Sequence, residues 1–304
     1  MLLLTPTDSN AKQLSFKRDK QATKTDFKYR FVDHNKQTQE LSFTLENATM
    51  FNRFRKFRGY KPDVMQRTVL MTLKKAAAKV DRRKVDIQFI ERSDSYEFKL
   101  TGEDQQLTEN TLKTLLRMQT EAQEKFVKKS YYNVLVNHQG KSGIKPDHVR
   151  FSRESRKDIL TLTNAIKAAN PKLRGRRLVE YILAFVQAIP YSTLESRYES
   201  NGAGFNAPLR VINNNQGDCD SKVTLMATMI NALYPRIKVV IIYLNNHALI
   251  GVQMTHSKND KSIKIKDREY ILAEPTGPAM LPFGRIAPSS EVFIDGGQFA
   301  HEIF

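Results

Sequence analysis

The sequence predicts an α+β fold in two parts, a smaller α+β domain followed by a larger one in which helices pack on an antiparallel sheet. Three observations predict it. Runs that alternate apolar and polar residues, such as Phe27-Lys28-Tyr29-Arg30-Phe31 and Tyr96-Glu97-Phe98-Lys99-Leu100, mark half-buried strands in the first half. Apolar residues at helical spacing dominate between about 152 and 188. Beyond 238 come β-branched runs parted by turn signals: 238–244, then Asn245-Asn246, then 247–254. The 304 residues, 40% hydrophobic, suffice for two ordinary cores. The expected divisions are a flexible arm at 1–25, a first domain at 26–137, a linker at 138–150 and a second domain at 151–304.

Residues 1–25 are polar and charged with few apolar anchors, the composition of a loosely ordered arm. The alternation at 27–31 resumes at 41–45 after Asp33-His34-Asn35-Lys36, which predicts a hairpin with one apolar face. Helices are expected at about 48–58 and 63–80, with Pro62 suited to open the second. Strands at 85–90 and 96–100 and a helix at about 108–128 complete the first domain. A strand at 131–136 leads into the Gly- and Lys-containing stretch 138–146, read as linker. Ser152 is placed to cap a helix to 168, and the next helix, about 173–188, carries Leu178, Ile182 and Phe185 on one stripe. Strands follow at 238–244, 247–254 and 269–273, and Val292-Phe293-Ile294 reads as one more.

The formal net charge is +17. Residues 1–150 carry 30 Lys plus Arg against 18 Asp plus Glu, which is +12 of that total. The densest patch is Arg53, Arg55, Lys56, Arg58 and Lys61, interleaved with Phe54, Phe57 and Tyr60. It points to an anionic partner, an acidic envelope polymer or acidic protein ahead of lipid headgroups or nucleic acid. The alternative is a solvated basic face whose Phe residues turn into the core. One cysteine rules out an internal disulfide, and no apolar run is long enough to cross a membrane. Met1-Leu2-Leu3-Leu4 is too short for a secretion signal. Two compartments stay open: the cytoplasm, or the periplasm and cell envelope if a signal has been trimmed. His34, His138, His148, His256 and His301 show no ligand spacing and the acidic residues form no calcium loop, so neither metal nor cofactor is expected.

The chemistry is expected at Gly217-Asp218-Cys219-Asp220. Asn213, Asn214, Asn215, Gln216 and Gly217 read as a loop, while Leu225, Met226, Met229, Ile230 and Leu233 fall on a buried helical stripe. Cys219 therefore opens a buried helix, where unpaired backbone N–H groups and the positive end of the dipole favour a thiolate. A lone cysteine beside apolar residues is commonly a core residue, but the flanking Asp218 and Asp220 are not core neighbours. His247 opens the second strand of the hairpin, and Glu274 ends the strand 269–273 just before Pro275-Thr276. Thiol, imidazole and carboxylate in that order are the parts of an activated nucleophile.

These segments resemble the transglutaminase-like superfamily, of the bacterial transglutaminase-like cysteine peptidase type. The resemblance covers about 151–285 and includes Phe185-Val186-Gln187-Ala188-Ile189-Pro190-Tyr191, which looks like the helix and turn before the cysteine loop in bacterial members. It implies a papain-like Cys-His-acid site made of Cys219, His247 and Glu274, with Glu where members usually carry Asp. Asp218, Asp220 and Asp267 are the other carboxylates within range, the first two suited to cap the helix. Gln187, Tyr191 and Asn246 are the expected oxyanion or cleft residues, beside the backbone N–H of Cys219. The implied activity is acyl transfer on a protein or peptide substrate through a thioester. Hydrolysis is expected ahead of amine crosslinking. The competing expectation is a non-catalytic scaffold that holds an anionic polymer through the basic first domain.

Overall fold

The computed structural model describes residues 12–92 and 95–304. It is a mixed α+β structure of helices and antiparallel sheets. In chain order the elements are β1 (Gln13–Lys20), β2 (Lys24–Val32), β3 (Thr38–Glu46), α1 (Asn47–Asn52), α2 (Pro62–Ala77), β4 (Asp86–Glu91), β5 (Tyr96–Thr101) and α3 (Gln105–Lys129). Next come β6 (Tyr132–Val136), β7 (Ser142–Pro146), α4 (His148–Ser155), α5 (Leu160–Ala169), α6 (Arg176–Ala188), α7 (Arg197–Ser200) and α8 (Pro208–Asn214). The chain closes with α9 (Cys219–Leu233), β8 (Val239–Tyr243), β9 (Ala248–Val252), β10 (Ser262–Ile265), β11 (Arg268–Ala273), α10 (Pro288–Asp295) and β12 (Ala300–Ile303).

Two compact units result, one of 12–58 with 134–304 and one of 59–133. In the smaller, α2 and α3 pack over the β4–β5 hairpin around Val69, Leu73 and Leu115. The larger holds an antiparallel sheet of order β10-β11-β9-β8-β12 and a second of order β1-β2-β3. One face of the five-stranded sheet, with Val239, Ile241, Ile250, Val252 and Ile271, shares a core with α9 and α6. Its other face, with Val240, Ile242, Leu249, Tyr270 and Leu272, packs with Ile286 and Ile294 of the C-terminal segment. Cover on both faces explains why 239–244 carries apolar residues on both faces.

The expected division near 138–150 is not where the structure parts. The β2–β3 hairpin belongs with the larger unit, because Phe27, Tyr29, Phe31, Leu41, Phe43 and Leu45 enter the same core as Ile159, Tyr181 and Phe185. Phe185 meets Tyr29 edge-on at 5.1 Å and Phe31 at 5.7 Å, and the Tyr29 hydroxyl donates to Ile212 O at 3.0 Å. The alternation showed that one face of this hairpin needs a cover. The cover is α5 on β3 and α6 on β2, more than a hundred residues away.

Other expectations also change. Of the expected arm at 1–25, residues 1–11 lie outside the described residues, but 13–20 form β1, paired along β2 from Gln13↔Phe31 to Lys20↔Thr25. The expected linker contains β7, paired with β6. Ser152 lies inside α4, which starts earlier because the Asp147 side chain accepts from Arg150 N at 3.0 Å. The expected helix at 48–58 stops at Asn52, and residues 292–294 are helical in α10. Replacing Phe185 by Ala removes the side chain that locks the three-stranded sheet to α6. A loss of about 3–5 kcal/mol is expected in urea unfolding. A loss below about 1 kcal/mol would mean that the hairpin does not depend on this contact.

Candidate active site

Helix α9 is buried throughout 221–231. Cys219 is its first residue and half-buried, and the Asp218 side chain caps the helix by accepting from Ser221 N at 3.0 Å. The preceding loop is pinned to the segment after α6: Gly217 N donates to Pro190 O at 3.3 Å and Ser192 N donates to Gly217 O at 3.2 Å. A side chain at Gly217 would press on Lys222 Cγ and Ser221 Cβ, both 3.3 Å from the Cβ position. Tyr191, half exposed, bridges Gly217 and lies within electrostatic reach of the thiol.

His247 sits at the end of the Asn245-Asn246 turn, with Leu244 N donating to its carbonyl at 2.8 Å. The β9–β11 register Ala273↔Ile250, carried on by one pair, puts Glu274 at the same end of the sheet. His247 Nε2 and Glu274 Oε2 are 3.5 Å apart. Glu274 is buried, and its Oε1 accepts from Ala287 N at 3.0 Å. Burial works to raise the Glu274 carboxyl, but hydrogen bonds from His247, Ser290 and the Ala287 amide outweigh it and hold the group below its usual range. Cys219 reaches the same place through the backbone, its thiol receiving the amides of Asp220 and of Ala248, the residue after His247. Among the described residues, no hydrogen bond joins Sγ to the imidazole.

The thiol does not have the electrostatics expected of a helix start. Burial, then Asp220 and Asp218, push the Cys219 thiol up, and the two amides only partly oppose them. Asp220 Oδ1 lies 3.7 Å from Sγ. Both carboxyls are themselves raised, mainly by burial; Asp220 adds to the rise at Asp218, whereas Lys145 and His247 act against it at Asp220. The Cys219 side chain at rest is therefore a thiol.

Gln187 departs from its expected oxyanion role. It is buried in α6, its Nε2 donates to Glu274 O at 2.9 Å and Leu281 O at 2.8 Å, and its Oε1 takes a contact from His34 Nε2 at 2.9 Å. Its amide hydrogens clamp the backbone that carries Glu274. Asn246 is exposed in the hairpin turn, and Asp267 lies in the exposed β10–β11 turn.

Two features escaped the sequence reading. Lys222, fully buried one turn after Cys219, donates through Nζ to Ile189 O at 2.6 Å and Gln187 O at 3.4 Å, and burial lowers its pKa to about 7. The second is a polar chain leading away from Asp220. Asp220 Oδ2 lies 3.7 Å from Nε2 of the buried His148, whose Nδ1 is 2.8 Å from the Tyr243 hydroxyl. Tyr243 donates to Glu302 Oε2 at 2.6 Å, and Lys145 Nζ is 2.5 Å from the same oxygen. Because Tyr243 gives its hydrogen to Glu302, His148 carries its proton on Nδ1 and turns a bare Nε2 toward Asp220. No spacing in the chain joins 145, 148, 220, 243 and 302.

The expected basic patch is divided between the two units. Arg53 engages Asp158, with Nη2 to Oδ1 at 2.8 Å, and Phe54 and Phe57 pack on Phe151 at 4.6 and 4.8 Å. Lys61 instead precedes α2 in the smaller unit, where Tyr60 packs on Tyr132. Among the described residues, no group of three or more His, Cys, Asp or Glu is arranged to hold a metal ion, and no helix is long and apolar enough to cross a membrane.

Comparison with protein-family models, with curated proteins and with solved structures returned no match to this chain.

Two outcomes follow from this electrostatic arrangement. Asp220→Asn removes a negative charge beside Sγ, so iodoacetamide should label Cys219 about 3- to 10-fold faster at pH 8. An unchanged rate would mean that Asp220 does not control the thiol. Lys222 titrates near 7 when folded against an ordinary 10.5, so between those values the unfolded chain binds the extra proton and stability rises with pH. Lys222→Met should flatten that rise, read from urea unfolding at pH 7 and pH 10.

Proposed function

We propose that the chain is a cysteine-dependent acyl transferase with a transglutaminase-like catalytic fold, hydrolysing a peptide or carboxamide bond through a thioester. The observation that carries this reading is the His247–Glu274 pair, 3.5 Å apart, beside the head of the buried helix that begins with Cys219. The fold assignment draws support from the same order: a thiol opening a buried helix, an imidazole before β9 and an acid after β11.

In this reaction Glu274 holds the Nε2 edge of His247, leaving Nδ1 as the base. As Sγ attacks the carbonyl carbon, the thiol proton passes to Nδ1 and the carbonyl π pair becomes an oxyanion. The backbone N–H of Cys219, at the first helical position, has no intrahelical acceptor and stabilises that charge. The oxyanion collapses, the C–N bond breaks, and the amine leaves with the proton from His247. Water, deprotonated by His247, then attacks the thioester carbonyl, releasing the acid and returning the proton to sulfur. Hydrolysis is preferred to transfer to an amine because water needs no binding site of its own. With the thiol raised at rest, proton transfer to His247 accompanies attack rather than preceding it.

A second reading, a non-catalytic scaffold, is favoured by one observation: burial and two flanking carboxylates disfavour the thiolate. The two readings separate in a peptide-library digest followed by mass spectrometry. Cys219→Ala should abolish cleavage at unchanged fold, His247→Ala should lower it about 10²- to 10⁴-fold, and Glu274→Gln should lower it less. Wild-type cleavage by Cys219→Ala would sink the enzyme assignment. Iodoacetamide labelling at pH 7 should also slow in His247→Ala; equal rates would remove His247 as the base.

A further inference from the structure

A concavity lies in the larger unit, in residues that the proposed hydrolysis does not use. Its volume is about 350 Å³, and none of Cys219, His247 or Glu274 lines it. The turn segment after α1 forms one wall, and α8 with Asn201 forms another. Four arginines, Arg53, Arg55, Arg58 and Arg210, and one carboxylate, Asp158, contribute to the lining, so positive charge exceeds negative by three. Phe51 and Phe54 supply accessible aromatic surface, Phe57 and Phe205 being buried, and Asn201, Asn213 and Asn214 supply amides.

The chemistry of this lining is specific. Arg53 is engaged with Asp158, the carboxylate of this lining. Arg58 Nη1 donates to the carbonyls of Arg55 and Phe57, both at 2.7 Å, which fixes its guanidinium on the turn. Arg210 is half-buried and its contacts are long and to neutral oxygens, Asn201 Oδ1 at 3.4 Å and Tyr198 O at 3.5 Å. Burial and then the charge of Arg58 lower the Arg210 pKa, the mark of two cations held close. Guanidinium groups pair with phosphate oxygens in a two-pronged geometry, and aromatic faces stack on flat rings. The volume suits a small molecule and excludes a folded chain.

We propose that this cavity is a binding site for a phosphorylated small molecule with a flat ring, of the mononucleotide class, its phosphate between Arg58 and Arg210 and its ring against the phenylalanines. The site is independent of the hydrolytic reading and stands or falls separately from it.

The test uses the full chain in equilibrium dialysis at physiological ionic strength, with adenosine 5′-monophosphate, adenosine and inorganic phosphate as probes. One saturable site for the nucleotide with a Kd below about 100 μM is expected, each half binding at least about 10-fold more weakly. Arg210→Gln should weaken the nucleotide about 10-fold or more, while a Lys141→Gln, Lys172→Gln control that removes exposed charge elsewhere should not. In the unsubstituted protein, the nucleotide should protect amides of 49–58 and 205–214 from hydrogen exchange, a readout that holds even if Arg210→Gln fails to fold. Non-saturable binding, equal affinity for phosphate alone, equal loss in the lysine control, or protection confined to other segments would each overturn the proposal.

Discussion

Burial of α9 from 221 to 231 is the constraint from which the rest of the larger unit follows. No side chain from 221 to 231 reaches solvent, so the helix must be covered on every side. The cover comes from α4, α5, α6 and α8 and from the five-stranded sheet through β8 and β9. Four of its buried polar residues are tied to specific partners, while Asn231 Nδ2 has none among the described residues. Thr224 and Thr228 return their hydroxyls to the carbonyls four residues back at 2.7 Å, Ser221 Oγ accepts from Asn206 N at 2.8 Å, and Lys222 spans to the end of α6. These ties fix the rotation of the helix, and with it the place of Cys219 at its head. A nucleophile on so constrained an element is held more closely than one on a loop.

Around that helix the acidic groups are driven in opposite directions. Glu274 is buried but receives donors from a ring, a hydroxyl and a backbone amide, so its charged form is favoured. Asp218 and Asp220 are drawn out of water side by side at the helix start, and burial raises both carboxyls. Environments that separate similar groups in this way assign them different roles. The Glu274 carboxylate lies 3.5 Å from His247 Nε2, whereas Asp220 lies beside sulfur, where its charge opposes a thiolate.

Much of this arrangement was legible in the chain. The alternation at 27–31 and 41–45, the β-branched run at 238–244 and the Asn245-Asn246 turn marked β2, β3, β8 and the start of β9. The loop-to-helix change at Gly217-Asp218 set Cys219 at a helix start, and the same local pattern put His247 and Glu274 at strand ends. What escaped was everything that depends on which segments meet. Alternation tells that a hairpin has an apolar face and not that α5 and α6 cover it. Gln187 read as an oxyanion or cleft residue because helical phase alone does not reveal that the Glu274 backbone arrives to accept its amide hydrogens.

The sequence by itself therefore determined the strands, the start of the buried helix and the three residue types that the proposed chemistry needs, because each rests on contacts within a few residues. Only the tertiary structure decided the division into units, the 3.5 Å approach of His247 to Glu274 and the upward shift of the thiol. It also gathered Arg58 and Arg210 around one cavity, and Lys145, His148, Asp220, Tyr243 and Glu302 into one polar chain. These depend on burial and on charges brought together from distant parts of the chain. Periodicity and spacing carry no information on either, since Coulomb forces and desolvation act through space and not along the backbone.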